Sequence, residues 1–194
     1  MVANFQGHAL ERRFQGVPGE FAPNKKHSGG AIVNETTINA EKKVIETARW
    51  VALATKKKDN ESVLSAIRWT GATLDASDGI RAHRADLNEV DLKVEPGLYQ
   101  LVHSHLNNGT ITLRPYEGQY PDIDGLWEYH QEGSPIPIES FDIDPAFFAD
   151  IGKGLRFVAI KQTRKNRAYV LEGAKEFTTH KRRALIMPWQ NGRR

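Results

Sequence analysis

A helical stretch followed by short alternating strands, and then the same order a second time, is the feature that most restricts what this chain can fold into. The two stretches are Thr37–Asp86 and Phe141–Pro188, with different loop lengths. A segment of this kind buries one helix face against one sheet face, so its repetition predicts an α+β body built as a duplicated helix-plus-sheet unit. The first helix is expected from about Ala40 to Lys56, with Asn39 as its N-cap. Val44, Ala48, Val51 and Ala52 fall at helical spacing and give it one apolar face. In the strands that follow, Val63, Ile67 and Trp69 alternate with polar positions, and Leu74 and Ala76 alternate with Thr73, Asp75 and Ser77. Asp78-Gly79 marks a hairpin, because both central positions of such a turn favour positive φ.

The second helix opens with Asp144 as N-cap and Pro145 at the first helical position, where a missing N–H does no harm. Phe147, Phe148, Ile151 and Leu155 are its expected buried side, and Gly152 or Gly154 ends it. Strands are expected at Phe157–Lys161, Ala168–Glu172 and Ala184–Met187. Between the repeats, strands at Leu98–His103 and Thr110–Arg114 are joined across Asn107-Asn108-Gly109. The proline-bearing stretch Tyr116–Pro137 reads as loop.

Residues 1–35 read as an arm, mixing Gly, Pro, Asn, Lys and His with isolated Phe5, Phe14 and Phe21 and a Gly29-Gly30 hinge. The remaining residues, 36–194, form the expected domain. The chain has no cysteine, which removes disulfides, thiolate metal sites and thiol nucleophiles together. No apolar run reaches the roughly 20 residues of a membrane span, so no membrane partner is expected. The first residues lack the apolar middle of a secretory signal, which makes the cytoplasm the expected address. A net charge of +3, from 27 basic and 24 acidic residues, is too small to argue nucleic-acid binding, so distribution matters more. Basic residues gather at 56–58, 164–167, 181–183 and 193–194, runs that are commonly no more than solvated loops.

Four segments carry a family resemblance. Leu74-Asp75-Ala76-Ser77-Asp78-Gly79-Ile80-Arg81 is similar to the A-T-D-G-x-R hairpin of bacterial sliding clamps, the β subunit of DNA polymerase III. Ala184-Leu185-Ile186-Met187-Pro188-Trp189 resembles that family's C-terminal V-M-P-M strand, and Gly118-Gln119-Tyr120-Pro121-Asp122 its G-x-F-P-D segment. Phe141–Leu155 and the hairpin after it resemble the family's last helix and strands. The likeness covers residues 36–190 in patches and implies a single clamp domain, with helices inside a ring and sheets outside. Two departures stand against an ordinary dimeric ring. A clamp subunit holds three such domains where this chain has length for one, and the Tyr-Pro-Asp patch lies between the two halves rather than at a domain's end. A shortened relative of the kind carried by phages or mobile elements, assembling as a homo-oligomer, fits these departures.

The resemblance implies a non-enzymatic replication accessory protein, a processivity factor whose inward helices follow duplex DNA by charge without base readout. The candidate nucleic-acid-binding residues are Lys42, Lys43, Arg49, Lys56 and Lys57 from the first helix, and Lys153 near the end of the second. Equally, they are solubilising residues on an exposed face, diluted by Glu41 and Glu46. The family also holds short peptides of polymerases and other replication proteins. Carried over to this sequence, that partner site is Ser77, Gly79, Arg81, Met187, Pro188 and Trp189, with Trp189 in place of a second Met. In full clamps its two segments come from neighbouring domains, so within one domain they need not meet.

A structural or assembly protein, for instance of a virus particle, is the alternative; it would use a similar sheet and the N-terminal arm to contact neighbours. A metal-dependent hydrolase built on His103, His105, Asp122, Asp124 and His83 is a third reading, against which surface histidines are the simpler account. No phosphate-loop, dinucleotide or nucleophile-elbow motif is present, and the sequence implies no cofactor.

Overall fold

The computed structural model describes residues 34–56, 62–87, 91–131, 143–152, 157–162, 168–173 and 181–187. The expected arm, residues 1–33 of it, lies outside them, as do Lys57, Lys153, Leu155, Pro188 and Trp189. The described elements are nine strands and three α-helices in the order β1 (Thr36–Asn39), α1 (Lys42–Ala52), β2 (Ile67–Trp69), β3 (Thr73–Ser77), β4 (Arg81–Asp86), β5 (Gly97–His105), β6 (Thr110–Pro115), α2 (Ile123–Gln131), α3 (Pro145–Gly152), β7 (Phe157–Gln162), β8 (Tyr169–Gly173) and β9 (Arg182–Ile186), with a short 3-10 helix, Val63–Ser65, between α1 and β2.

All nine strands join one antiparallel sheet in the order β1-β6-β5-β2-β3-β4-β9-β8-β7. Within it, α1 leads into the meander β2-β3-β4 and α3 into the meander β7-β8-β9. The last strands of the two meanders pair with each other, Arg81 opposite Ile186 and Ala85 opposite Arg182. That pairing places the two repeats about an approximate two-fold axis between β4 and β9, which is the expected duplicated unit. The hairpin β5–β6 and the short β1 extend the first repeat's side of the sheet.

Strand alternation decides what each face of the sheet carries. On one face, Leu74, Ala76, Ala85, Tyr169, Leu171, Ala184 and Ile186 pack against Val44, Ile45, Ala48 and Val51 of α1 and Ile151 of α3. On the other face, Ala82, Val170 and Leu185 pack against Ile123 and Trp127 of α2. Each fully buried aliphatic side chain contributes roughly 1.5–3 kcal/mol by leaving water, so the α1/α3 face carries most of the core.

Both repeated helices form for reasons visible locally, with corrections at their ends. Asp144 caps α3 as expected, its Oδ1 accepting the Ala146 N–H at 2.8 Å. Phe148, expected to be buried, is 36% exposed, while Ile151 is fully enclosed. Helix α1 is shorter than its sequence period suggests. Glu41, not Asn39, is the residue before its first turn, because Asn39 is used in β1 opposite Thr110. The helix stops at Ala52, where the Ala54 and Thr55 N–H groups fold back onto the Val51 and Ala52 carbonyls and the Thr55 hydroxyl also donates to Ala52 O at 2.8 Å. Lys56 therefore lies beyond the helix, its N–H donating to Leu64 O at 2.9 Å.

The stretch read as loop from Tyr116 contains α2. Asp122 starts it by accepting the Gly125 N–H at 2.9 Å. The hairpin between β3 and β4 has a three-residue connection, Asp78–Ile80, rather than a two-residue one, and Gly79 takes the positive φ of 90°. The Asp78 carboxylate shapes the turn, Oδ1 accepting the N–H groups of Ile80 and Arg81 at 3.0 and 2.9 Å.

Candidate nucleic-acid interface and hairpin surface

The outward side of α1 presents Lys42, Glu46 and Arg49, with Lys43 half exposed. Lys42 lies 4.0 Å from Glu46 and Lys43 lies 3.1 Å from Glu41. Exposed pairs of this kind are worth about 0–1 kcal/mol, so a phosphate competes easily for either lysine. Of the helix's three cations, Arg49 alone makes no ion pair among the described residues. Lys56 is exposed at the helix's C-terminal end, beside a cavity of about 370 Å³ also lined by Thr55, Ser65, Gln100 and Arg114. Four of the six expected phosphate-binding residues are thus described and exposed or half exposed, with carboxylates beside Lys42 and Lys43.

Beneath α1 runs a buried polar seam that sequence periodicity gave no reason to expect. His83 of β4 is wholly enclosed and stacks on Trp50, ring centroids 4.4 Å apart at 11°. Its Nδ1–H donates to the Trp50 carbonyl at 2.9 Å, leaving Nε2 buried without a partner. Burial pushes this imidazole down to about 4, with the nearby Arg81 charge adding to the effect and the Trp50 bond and Asp150 opposing it. On β9, Arg182 donates to the Thr47 hydroxyl at 2.6 Å and lies 5.6 Å from the Trp50 ring; its burial lowers the guanidinium's pKa. The two repeats are therefore joined beneath α1 by side chains as well as by the β4–β9 ladder.

The two halves of the expected partner site do meet. Ile186 pairs with Arg81, and the Met187 N–H donates to Ile80 O at 2.9 Å, so the hairpin tip and the end of β9 are side by side. The β4–β9 pairing brings these segments together within one sheet.

The roles expected within that site need correction. Arg81 is 7% exposed, with its guanidinium turned to the helix face of the sheet. Nε donates to Asp78 at 3.0 Å, Nη1 to Asp150 of α3 at 3.0 Å and Nη2 to Leu53 O at 2.6 Å, and the group lies 4.6 Å from the Phe147 ring. It ties the hairpin to both repeated helices and is not offered to a partner. Ser77 is buried too: its hydroxyl donates to Arg81 O at 2.8 Å and accepts the Gly79 N–H at 3.1 Å. Gly79 is exposed and Met187 half buried, and the large apolar group at the tip is Ile80, 50% exposed. Sequence reasoning missed Ile80, although an isoleucine directly after a turn glycine is itself a signal of an apolar tip.

Among the described residues, the histidines and acids of the hydrolase reading do not gather in one group. His103 and His105 are exposed on β5 with ring centroids 6.1 Å apart, while His83 is buried beneath α1. Asp122 caps α2, and Asp124 is held by Arg68 and Arg84. Among the described residues no group of three or more His, Asp or Glu side chains gathers to hold a metal ion. Nor, among them, is any helix long and apolar enough to cross a membrane.

No protein-family model matches the sequence, and no curated protein matches it either. Solved structures do match the fold. A β clamp from Helicobacter pylori in complex with 3,4-difluorobenzamide has a TM-score of 0.52 at 11% identity, covering 84% of this chain and 68% of that one. A sliding clamp (DNA polymerase III subunit β) from Pseudomonas aeruginosa bound to griselimycin gives 0.52 at 11%, covering 84% and 67%. The DNA polymerase sliding clamp from Bacillus subtilis gives 0.50 at 14%, covering 80% and 64%. The chain thus spans about two thirds of the length of the clamps it matches. Helix-led meanders paired through their last strands, together with these neighbours, give the chain the fold of a bacterial sliding-clamp domain.

Proposed function

We propose that the protein is a clamp-like, non-enzymatic DNA-binding accessory of replication, acting as a homo-oligomer in the cytoplasm. The carrying observation is that both repeated helices lie on one face of a sheet whose fold is similar to that of bacterial sliding clamps. On that face Arg49, Lys56, Lys42 and Lys43 meet the duplex backbone by charge alone. Lys57 and Lys153, outside the described residues, are proposed for the same role on their charge. The two outer strands of the sheet, β1 and β7, offer edges through which copies join. The hairpin tip, with Gly79, Ile80 and Met187, is the side on which a polymerase or another replication protein docks. Pro188 and Trp189, outside the described residues, remain proposed members of that site.

Particle mass by light scattering, with and without duplex DNA at low and high salt, tests this reading. A discrete oligomer whose affinity falls steeply with salt is the expected result. Substituting Arg49 and Lys56 by Ala should then flatten the log affinity against log salt plot by about 0.9 for each phosphate that is no longer neutralised. A DNA-indifferent monomer overturns the reading. The assembly-protein alternative draws on one observation, the neutralisation of Lys42 and Lys43 by Glu46 and Glu41. It predicts a large DNA-indifferent particle that disappears when residues 1–35 are removed.

A further inference from the structure

The sheet face opposite α1 carries a row of charge that the clamp-like reading does not use. Arg68, Asp75, Arg84 and Arg183 stand directly opposite one another on β2, β3, β4 and β9. Arg84 and Arg183 are thus like charges side by side, a destabilising arrangement unless something answers it. Part of the answer lies in the sheet. Asp75 is fully buried and accepts from Arg68 Nη2 at 2.8 Å and Arg84 Nε at 2.5 Å, and Asp86 accepts from Arg183 at 3.2 Å.

The rest comes from α2. Asp124 takes a two-pronged contact from Arg68, at 2.9 and 3.0 Å, and a further bond from Arg84. Three residues on, the Trp127 ring lies 5.5 Å from the Arg84 guanidinium and 5.7 Å from that of Arg183. Ile123 fills the apolar strip beside the row, over Ala82 and Leu185, with Met187 at its margin.

We propose that this face is a helix-binding seat, that α2 is its resident occupant, and that a partner helix carrying a carboxylate three residues before an aromatic displaces it. The seat reads three features at helical spacing: an apolar residue, then an acid, then an aromatic three positions further, as in Ile123, Asp124 and Trp127. The charge geometry selects an acid, since Arg68 and Arg84 converge on Asp124 from neighbouring sites of the row.

Two properties make α2 a weak holder of the seat. It has nine residues with Gly125 in its first turn, too short to be helical unaided. The Trp127 indole N–H is also buried without an acceptor among the described residues, so a rival that satisfies or omits that donor binds better. This surface lies across the sheet from the proposed DNA face; among the described residues it meets the hairpin site at Met187 and where the Ser77 N–H donates to the Tyr120 hydroxyl. The inference therefore does not depend on duplex binding, and DNA affinity measured alongside separates the two.

The test uses a fluorescent synthetic peptide of residues 118–131 and the full-length chain carrying D124K and W127A, which empties the seat. Fluorescence anisotropy should show micromolar binding to the variant and at least tenfold weaker binding to the wild type. A peptide with Trp127→Ala should lose binding at least tenfold. A variant that melts cooperatively but does not take up the peptide overturns the proposal. Should the variant fail to fold, hydrogen exchange on the wild type decides. The amides of Gly125–Gln131 should exchange through a local opening, faster than those of β4 and β9. Exchange of α2 only through global unfolding overturns the proposal.

Discussion

Acidification should destabilise this protein through one side chain, His83. Its ring is enclosed between β4 and α1, stacked on Trp50, with Arg81 and Asp150 the charged groups that bear on it and Arg182 5.6 Å from the tryptophan ring. Burial lowers its pKa from 6.5 to about 4, so the folded state keeps a neutral ring over a range where the unfolded chain takes up a proton. The sign follows from linkage: the unfolded state binds more protons, so stability is fully present above about pH 6.5 and is lost as pH falls toward 4. At about pH 5 the unfolded imidazole is almost wholly charged and the folded one still mainly neutral. The loss by then is about 2 kcal/mol, approaching about 3 kcal/mol below pH 4. Urea unfolding followed by circular dichroism at about pH 8, 6 and 5 measures it. The isolating variant is His83→Phe, which keeps a ring to stack on Trp50 and leaves the Trp50 carbonyl its bond from the Leu53 N–H. The variant should lose about 2 kcal/mol less than the wild type between about pH 8 and 5. If both lose the same amount to within about 0.5 kcal/mol, His83 is not held neutral by burial and the reasoning fails.

Three further outcomes are expected. Asp75→Ala leaves Arg84 buried without its main partner and should cost about 3–5 kcal/mol in urea unfolding, much of it recovered in the double variant Asp75→Leu with Arg84→Met. Gly79→Ala should cost about 1–2 kcal/mol, since the added Cβ has room beside Leu64 but the φ of 90° strains any other residue. On α3, Ile151→Ala should cost about 2–5 kcal/mol, because that side chain is fully enclosed.

The duplicated unit was legible because its signals are local. Asp144 and Pro145 announce α3, and Asp78-Gly79 announces the β3–β4 hairpin, each within a few residues. What escaped is what depends on distant partners. Strand β1 is four residues long and acquires its structure from β6, Thr36 pairing with Leu113 and Asn39 with Thr110. Helix α2 was hidden among prolines and by Gly125, although the Asp122 cap and the Ile123–Trp127 spacing were there to be read. In the hairpin, the family motif names residues but says nothing of the direction in which their side chains point. Arg81 and Ser77 alternate to opposite faces of the sheet, and no motif states that Asp150 and the Leu53 carbonyl wait for the arginine. The arginine row is plain only once the register is known, because Arg68, Arg84 and Arg183 come from three separate strands.

The pairing of β4 with β9 also governs the order in which a ribosome can complete this molecule. Arg81 emerges about a hundred positions before Ile186, the residue it must face. Until then the first repeat has its helix and meander but an open flank along β4, with His83 and Ala85 lacking their neighbours across the ladder. A nascent chain paused between the repeats is thus a half-molecule with a free strand edge, and the partner most like β9 in reach is β4 of another such half. Translation that runs through the 87–181 interval without delay shortens that exposure. Slow synthesis there favours pairing between chains over pairing within one.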